Sequence, residues 1–311
     1  MKTIDVVVPC YNEEEVLELF YTESKKVFDT LTNYDIKYIF VNDGSKDKTL
    51  SILKDLAAKD SKVKYISFSR NFGKESAMFA GLNNTTGDYV VLMDADLEHP
   101  PTAVPTMVEK IEEGYDSCAC MRKARSAGGF KSGLSSLFYK FNNRFSDINL
   151  KQNAQDFRMM SRQMVEAVLS MSENQRFTKG IFEWVGFDTY WIENEDVTRP
   201  AGSTKWGLKS LIKYAINGIT SFSISPLRFL TMMGLIISLL TFFMIVITFI
   251  RKIVFDIDVS GYASLMITIS FLGGIVEMSI GILGEYIGNI YIETKNRPIY
   301  ITKDTNIDDA K

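Results

Sequence analysis

The sequence predicts an α/β domain built on a parallel, doubly covered sheet, followed by a two-helix membrane hairpin. Three observations predict it. Four short, uninterrupted apolar runs alternate with helical stretches, the pattern of strands buried on both faces. Each of three of these runs opens directly into a polar cluster. Near the C-terminal end, two long stretches carry almost no charge.

Ile4-Asp5-Val6-Val7-Val8 forms the first strand, and Tyr11-Asn12-Glu13-Glu14-Glu15 opens the helix after it. Tyr38-Ile39-Phe40-Val41 is the second strand and ends in Asn42-Asp43-Gly44-Ser45. Val63 to Phe68 is the third, and Lys74 to Asn83 reads as a helix. Tyr89-Val90-Val91-Leu92-Met93 is the fourth and ends in Asp94-Ala95-Asp96. Ligands of such sheets bind beyond the carboxyl ends of the strands, where these polar clusters lie. Phe130, Leu134, Leu137, Phe138, Phe141 and Phe145 mark one face of a further helix. Leu208, Leu211, Ile212, Ala215, Ile216 and Ile219 mark another, with Lys209 and Lys213 opposite, as in an interfacial helix. Phe229 to Ile250 holds no charge, and Tyr262 to Gly284 holds only Glu277. A helix crossing a bilayer needs roughly 20 such residues. The alternative, a pair of buried core helices, normally keeps a polar face. Arg251 to Gly261 then makes a tight external turn. The predicted organisation is a soluble domain over 1–206, an amphipathic helix over 207–226, two membrane helices within 227–290 and a tail over 291–311.

Charge is nearly balanced, with 35 Lys+Arg against 38 Asp+Glu, which argues against a general nucleic-acid binder. Three cysteines exclude a disulfide scaffold, and 46% hydrophobic residues exclude a disordered chain. The first residues lack the apolar core of a signal peptide, so the soluble domain is expected on the cytosolic side. Lys205, Lys209, Lys213 and Arg228 before the hairpin, and Lys295, Arg297 and Lys303 after it, outnumber Arg251 and Lys252 in the turn. That asymmetry predicts two spans with both ends cytosolic.

Asp94 and Asp96 place two carboxylates at i and i+2 after a strand, with Glu98 two residues on. Such a set suits a hard divalent cation shared with substrate phosphates; a solvated acidic turn is the plain alternative. In Asn42-Asp43-Gly44-Ser45, with Asp47 and Thr49 following, Ser45 or Asp47 suits a helix cap, and Asp43 suits a nucleobase or ribose. No dinucleotide or P-loop glycine motif is present. Ser69-Arg70-Asn71-Phe72-Gly73-Lys74-Glu75 reads either as a diphosphate site at a helix start or as a plain helix start. Gln155-Asp156-Phe157-Arg158 precedes a helix of mixed polarity. Arg199-Pro200-Ala201-Gly202-Ser203-Thr204-Lys205-Trp206 suits an anion clamp or an ordinary loop toward the membrane. His99, Cys118 and Cys120 lack zinc spacing. Glu277 inside a bilayer is either functional or paired structurally.

Taken in order, Val8-Pro9-Cys10-Tyr11-Asn12-Glu13, Val41-Asn42-Asp43-Gly44-Ser45, Arg70-Asn71-Phe72-Gly73-Lys74-Glu75 and Asp94-Ala95-Asp96-Leu97 resemble the motifs of family 2 glycosyltransferases. The subgroup is the polyprenyl-phosphate glycosyltransferases, which includes dolichyl-phosphate mannose synthase and the bactoprenol glucosyltransferases. Gly218-Ile219-Thr220-Ser221-Phe222-Ser223, Pro226-Leu227-Arg228 and Gly284-Glu285-Tyr286-Ile287-Gly288 are similar to the bactoprenol branch. The resemblance implies a GT-A, Rossmann-like nucleotide-sugar-binding fold. It implies inverting transfer of a hexose from a nucleotide sugar, UDP-glucose or UDP-N-acetylglucosamine, to undecaprenyl phosphate. The product would serve cell-envelope glycan modification at the cell membrane. Pro9, Tyr11, Glu13 and Asp43 match nucleoside-binding positions, and Lys74 and Asp94 complete the nucleotide-sugar set. Asp94, Asp96 and Glu98 match the site for Mg²⁺ or Mn²⁺; relatives often carry Gln at the position of Glu98, and Asp-Pro where this chain has His99-Pro100. Asp156 matches the proposed catalytic base. Arg122 and Arg125 lie where the lipid phosphate is held. Arg199 and Lys205 match the R-x-x-G-x-[ST]-K segment and would act in catalysis; some relatives carry an Arg where this chain has Asp196. A flippase partner or a homo-oligomer is compatible with this reading. The alternatives are a non-catalytic scaffold for a lipid-sugar flippase and transfer to another lipid or glycan acceptor.

Overall fold

The computed structural model describes residues 1–122, 148, 151, 153–194, 220, 222–255 and 261–308. In chain order the elements are β1 (Lys2–Cys10), α1 (Leu17–Phe28), β2 (Tyr34–Asn42), α2 (Thr49–Lys59), β3 (Val63–Phe68), α3 (Lys74–Asn83), β4 (Tyr89–Leu92), α4 (Val104–Glu112) and β5 (Ser117–Arg122). They continue with β6 (Ala154–Ser161), α5 (Arg162–Ser170), α6 (Thr178–Trp184), β7 (Thr189–Asn194), α7 (Ser225–Phe255), α8 (Tyr262–Thr294) and β8 (Thr302–Thr305).

The eight strands form one sheet in the order β7-β5-β6-β4-β1-β2-β3-β8. Alternate residues of β1 face opposite layers, as the period of two requires. Val6 and Val8 join Phe20 of α1, Leu53 of α2 and Met107 of α4. Val7 joins Met78 of α3, Met164 of α5 and Phe182 of α6. The core is thus double, which is why the strands read as continuous apolar runs. A Cβ at Gly81 would lie 2.2 Å from the Val7 side chain, so this glycine lets α3 sit directly on β1.

All four expected strands are present, and the expected helix over Lys74–Asn83 has those bounds. The all-parallel expectation needs correction. β1, β2, β3 and β4 pair in parallel, but β6 runs antiparallel to both β4 and β5. β8 is also antiparallel, against β3. Gln155–Arg158 forms part of β6 itself and does not merely precede a helix. Tyr11–Glu15 is a loop, and its helix begins at Leu17. The tail expected from residue 291 returns to the sheet as β8, and α8 runs on to Thr294. The expected faces over 130–145 and 208–219 lie outside the described residues.

Helices α7 and α8 are 31 and 33 residues long. Stretches over Ser225–Thr248 and Ile267–Thr294 are long and apolar enough to cross a membrane, and neither is buried against protein. That removes the buried-core alternative. Phe229, Leu235, Phe243 and Phe271 stand bare on these helices, as lipid-facing side chains do. The external turn is shorter than expected, because Arg251–Phe255 continue α7.

Candidate active site

Four parallel strands end on one side of the sheet, and their following loops are sewn together there. The loop after β1 meets the loop after β2. Asn12 N–H donates to Ser45 Oγ at 2.9 Å, Glu13 N–H to Thr49 Oγ1 at 2.9 Å, and Glu14 N–H to Asp47 Oδ2 at 3.1 Å. Asn12 Oδ1 accepts from Lys46 N–H at 2.9 Å. Ser45 therefore serves the neighbouring loop. Asp47 does both jobs, because its other oxygen accepts from Thr49 N–H at 3.0 Å at the start of α2. Pro9, Tyr11 and Glu13 border this seam.

The loop after β3 is seated on Asp43. Its carboxylate accepts from Phe72 N–H at 2.6 Å and Gly73 N–H at 2.9 Å. Burial raises this carboxyl above its usual value, opposed by the two amides and Arg70. The lone pairs left over are what a ligand would meet. Gly44 makes the seat possible: its φ is +63°, and a Cβ there would lie 2.3 Å from the Arg70 carbonyl carbon.

Lys74, first residue of α3, joins the loop after β3 to the loop after β4 and to β6. Its Nζ lies 2.7 Å from Asp94 Oδ1 and 2.7 Å from Asp156 Oδ2. Asp94 comes from the loop after β4, Asp156 from β6. The antiparallel register Leu92↔Arg158 brings those two ends together. Lys179 of α6 stands 3.8 Å from Asp156 Oδ1. Burial works to raise the Asp156 carboxyl, but Lys74 and then Lys179 outweigh it and hold it well below the usual carboxylate range. Burial likewise pulls the Lys74 ammonium down, while Asp156 and Asp94 hold it well above an ordinary lysine. Ionised Asp156 forms a charged triad with Lys74 and Lys179, and Asp94 is joined to it through Lys74.

Asp96 Oδ1 accepts from Glu98 N–H at 3.1 Å, across Leu97 in the left-handed region at φ 56°. Glu98 Oε2 accepts from Arg122 Nη2 at 3.1 Å. Asn12, Leu97 and Asn153 are three of the four described non-glycine residues with positive φ. All three flank this end of the sheet, where strain concentrates in functional sites. His99 is buried and stacks on Phe157 at 5.7 Å, a packing role. Cys118 and Cys120 are buried in β5. Arg125, Arg199 and Lys205 lie outside the described residues.

The sequence reading missed Lys179 and Arg158. Arg158 is 2% exposed, and its guanidinium lies 3.8 Å over the Phe182 ring. Burial pushes it down to about 10. Among the described residues its Nε and Nη1 have no hydrogen-bond partner. A strand reading of Gln155–Arg158 puts Asp156 and Arg158 on one face by the period of two. Lys179 carries no comparable signal.

Comparison with known proteins matches this architecture in two parts. The glycosyl transferase family 2 description matches residues 5–169. A second, the GtrB C-terminal hairpin, matches residues 225–290. The chain is 44% identical over 301 residues to a prophage bactoprenol glucosyl transferase homolog of Escherichia coli (strain K12), covering 96% of this chain and 98% of that protein. It is also 44% identical over 301 residues to the bactoprenol glucosyl transferase of Shigella phage SfX, covering 96% of this chain and 98% of that protein.

Proposed function

We propose, from the premise that this chain belongs to glycosyl transferase family 2, that it moves a hexose from a nucleotide sugar to polyprenyl phosphate at a membrane. The observation that carries the reading is the Lys74 bridge between Asp94 and Asp156 in a domain carried on an apolar hairpin. The bridge ties a carboxylate at the donor end of β4 to an ionised carboxylate from β6. The names of the two relatives above support the lipid acceptor.

In the proposed reaction a phosphate oxygen of the lipid attacks the anomeric carbon from the face opposite the leaving group. The bond from that carbon to the diphosphate oxygen breaks, and the nucleoside diphosphate departs with its electron pair. A phosphomonoester has a second pKa of about 6, so the nucleophile is largely deprotonated already at neutral pH. Asp156, fixed as an anion by Lys74 and Lys179, therefore orients the reacting groups and takes no proton from the acceptor. Asp43, Tyr11 and Glu13 would hold the nucleoside. Lys74 would balance diphosphate charge, and Arg122 is a candidate for the lipid phosphate together with Arg125, Arg199 and Lys205.

The donor set fits a divalent cation. Asp94 and Asp96 are hard oxygen ligands, and no cluster of three or more His, Cys, Asp or Glu closes around a cation among the described residues. Mg²⁺ and Mn²⁺ suit such an open site, completed by substrate phosphates and water. Bound there by Asp94 and Asp96, with Glu98 near, the ion would stabilise charge on the departing diphosphate.

The lysine and arginine asymmetry around the hairpin supports a cytosolic position for both termini and the catalytic domain. The donor is a UDP-hexose, with glucose or N-acetylglucosamine the sugar, and undecaprenyl phosphate the acceptor. The test incubates the full-length protein with UDP- and GDP-sugars and polyprenyl phosphate, and identifies products by mass spectrometry. A lipid of polyprenyl phosphate plus one hexose or N-acetylhexosamine is expected; no lipid product with any donor contradicts the reading.

A further inference from the structure

The second apolar helix holds, through one stripe, both the segment that leads into α7 and the α/β domain. Tyr286, Asn289 and Glu293 fall at i, i+3 and i+7 on α8 and so share a face. Tyr286 Oη donates to the Ser223 carbonyl at 2.6 Å, and Asn289 Nδ2 donates to Thr220 Oγ1 at 3.2 Å. Glu293 reaches further into the domain. Its Oε1 accepts from the backbone N–H of Asn174 at 2.9 Å and of Gln175 at 3.1 Å, and its Oε2 from Asn174 N–H at 3.1 Å. A carboxylate on two successive amides is a charge-assisted clamp.

That clamp leads to the charged triad. Asn174 and Gln175 run into α6, whose first residue, Thr178, donates its N–H to Glu75 Oε2 at 2.9 Å and its hydroxyl to the same oxygen. Glu75 follows Lys74 directly. From α6 also comes Lys179, the second cation on Asp156. Both lysines that face Asp156 therefore hang on the segment that Glu293 holds.

The chain beyond α8 grips the other flank of the same loop. Tyr300 stacks on Phe68 at 5.0 Å and meets Phe79 edge-on at 6.4 Å. The Ile301 carbonyl accepts from Ser69 N–H at 3.0 Å, and β8 then pairs with β3. Residues 69–74, which sit on Asp43 and end in Lys74, are held between these two grips.

We propose that Glu293 is a positioning residue for the transfer: it fixes α6 and the start of α3 relative to the membrane helix, so that Lys74, Lys179 and Asp156 meet a phosphate presented from the membrane. This rests on the function proposed above and specifies how the hairpin serves it. On the nucleoside side, the loops after β1 and β2 are joined to each other by Ser45, Asp47 and Thr49, and the 69–74 loop keeps its second grip from Tyr300 and Ile301.

The test compares wild type with Glu293→Ala and Glu293→Gln, each full-length in detergent or vesicles containing polyprenyl phosphate. Turnover, KM for the donor, UDP affinity and melting temperature are measured. A misplacement of this kind lowers turnover by about ten- to a hundredfold. Glu293→Ala should lose turnover on that scale while UDP affinity, which Lys74 shares with Asp43, Tyr11 and Glu13, falls far less and melting stays close to wild type. Glu293→Gln, which keeps one acceptor oxygen, should fall between them, and it decides the matter should Glu293→Ala not fold. Turnover unchanged in both variants overturns the proposal. So does a loss of turnover matched by equal losses of UDP affinity and melting, because a plain tether would behave that way. A wild type that makes no lipid product defeats the proposed function, and this inference with it; an active wild type beside unimpaired variants defeats only the role of Glu293.

Discussion

Asp156 holds its charge in a half-buried position because two lysines face it, at 2.7 Å and 3.8 Å. Its carboxyl sits well below the usual range in the folded protein. A carboxyl lowered by folding adds stability that is full above its unfolded value of about 4 and is lost as pH falls toward the folded value. Wild type should therefore lose melting temperature as pH drops below about 4, and Asp156→Asn should lose less over the same window. Equal slopes in the two proteins would contradict the triad. A second residue-scale prediction concerns Asp96. Asp96→Ala should abolish transfer while the protein stays folded and membrane-bound, and chelator should silence wild type until Mg²⁺ or Mn²⁺ is restored. Full activity in chelator would remove the metal from the account. The spacing of Asp94, Asp96 and Glu98 was readable from the chain alone. The tie of Glu98 to Arg122 was not, since those residues are joined only by the fold.

At the scale of elements, the strands of the first half were legible because burial on both faces leaves no polar alternation to misread. What escaped was direction. β6 sets Asp156 and Arg158 between apolar residues, and in the sequence Gln155–Arg158 stands only as the segment before a helix. Its antiparallel course beside β4 is what brings Asp156 to Asp94, and no local pattern encodes it. β8 escaped for a different reason: Thr302–Thr305 is short and polar, and it becomes a strand only by pairing with β3. Gly44 stands in a polar cluster that the sequence marks, but nothing in the sequence shows it as the point where the Arg70–Asn71 backbone passes within reach of a Cβ. Left-handed backbone and lost space together cost about 1–3 kcal/mol or more. Gly44→Ala should lower the melting temperature and weaken UDP binding, because Asp43 would lose its seat under Phe72 and Gly73. Unchanged UDP affinity in a folded Gly44→Ala protein would show that this loop is not part of the nucleotide site.

For the whole molecule, the hairpin and the catalytic domain form one working unit. The apolar helices were evident from charge alone, whereas the grip of α8 on the domain through Glu293, and on the segment before α7 through Tyr286 and Asn289, needed the structure. The proposed arrangement brings a lipid phosphate to a site whose one central carboxylate is already ionised. Paired with Lys74 and Lys179, that carboxylate is a weak proton acceptor, so the site suits an acceptor that arrives deprotonated and serves an alcohol poorly, since an alcohol needs an effective base. The most direct test is acceptor competition: the full-length protein with one active UDP-sugar, offered polyprenyl phosphate, the matching polyprenol and diacylglycerol in equal amounts. Mass spectrometry should find the sugar on polyprenyl phosphate and essentially none on the two alcohols. Equal or greater transfer to either alcohol would contradict the account.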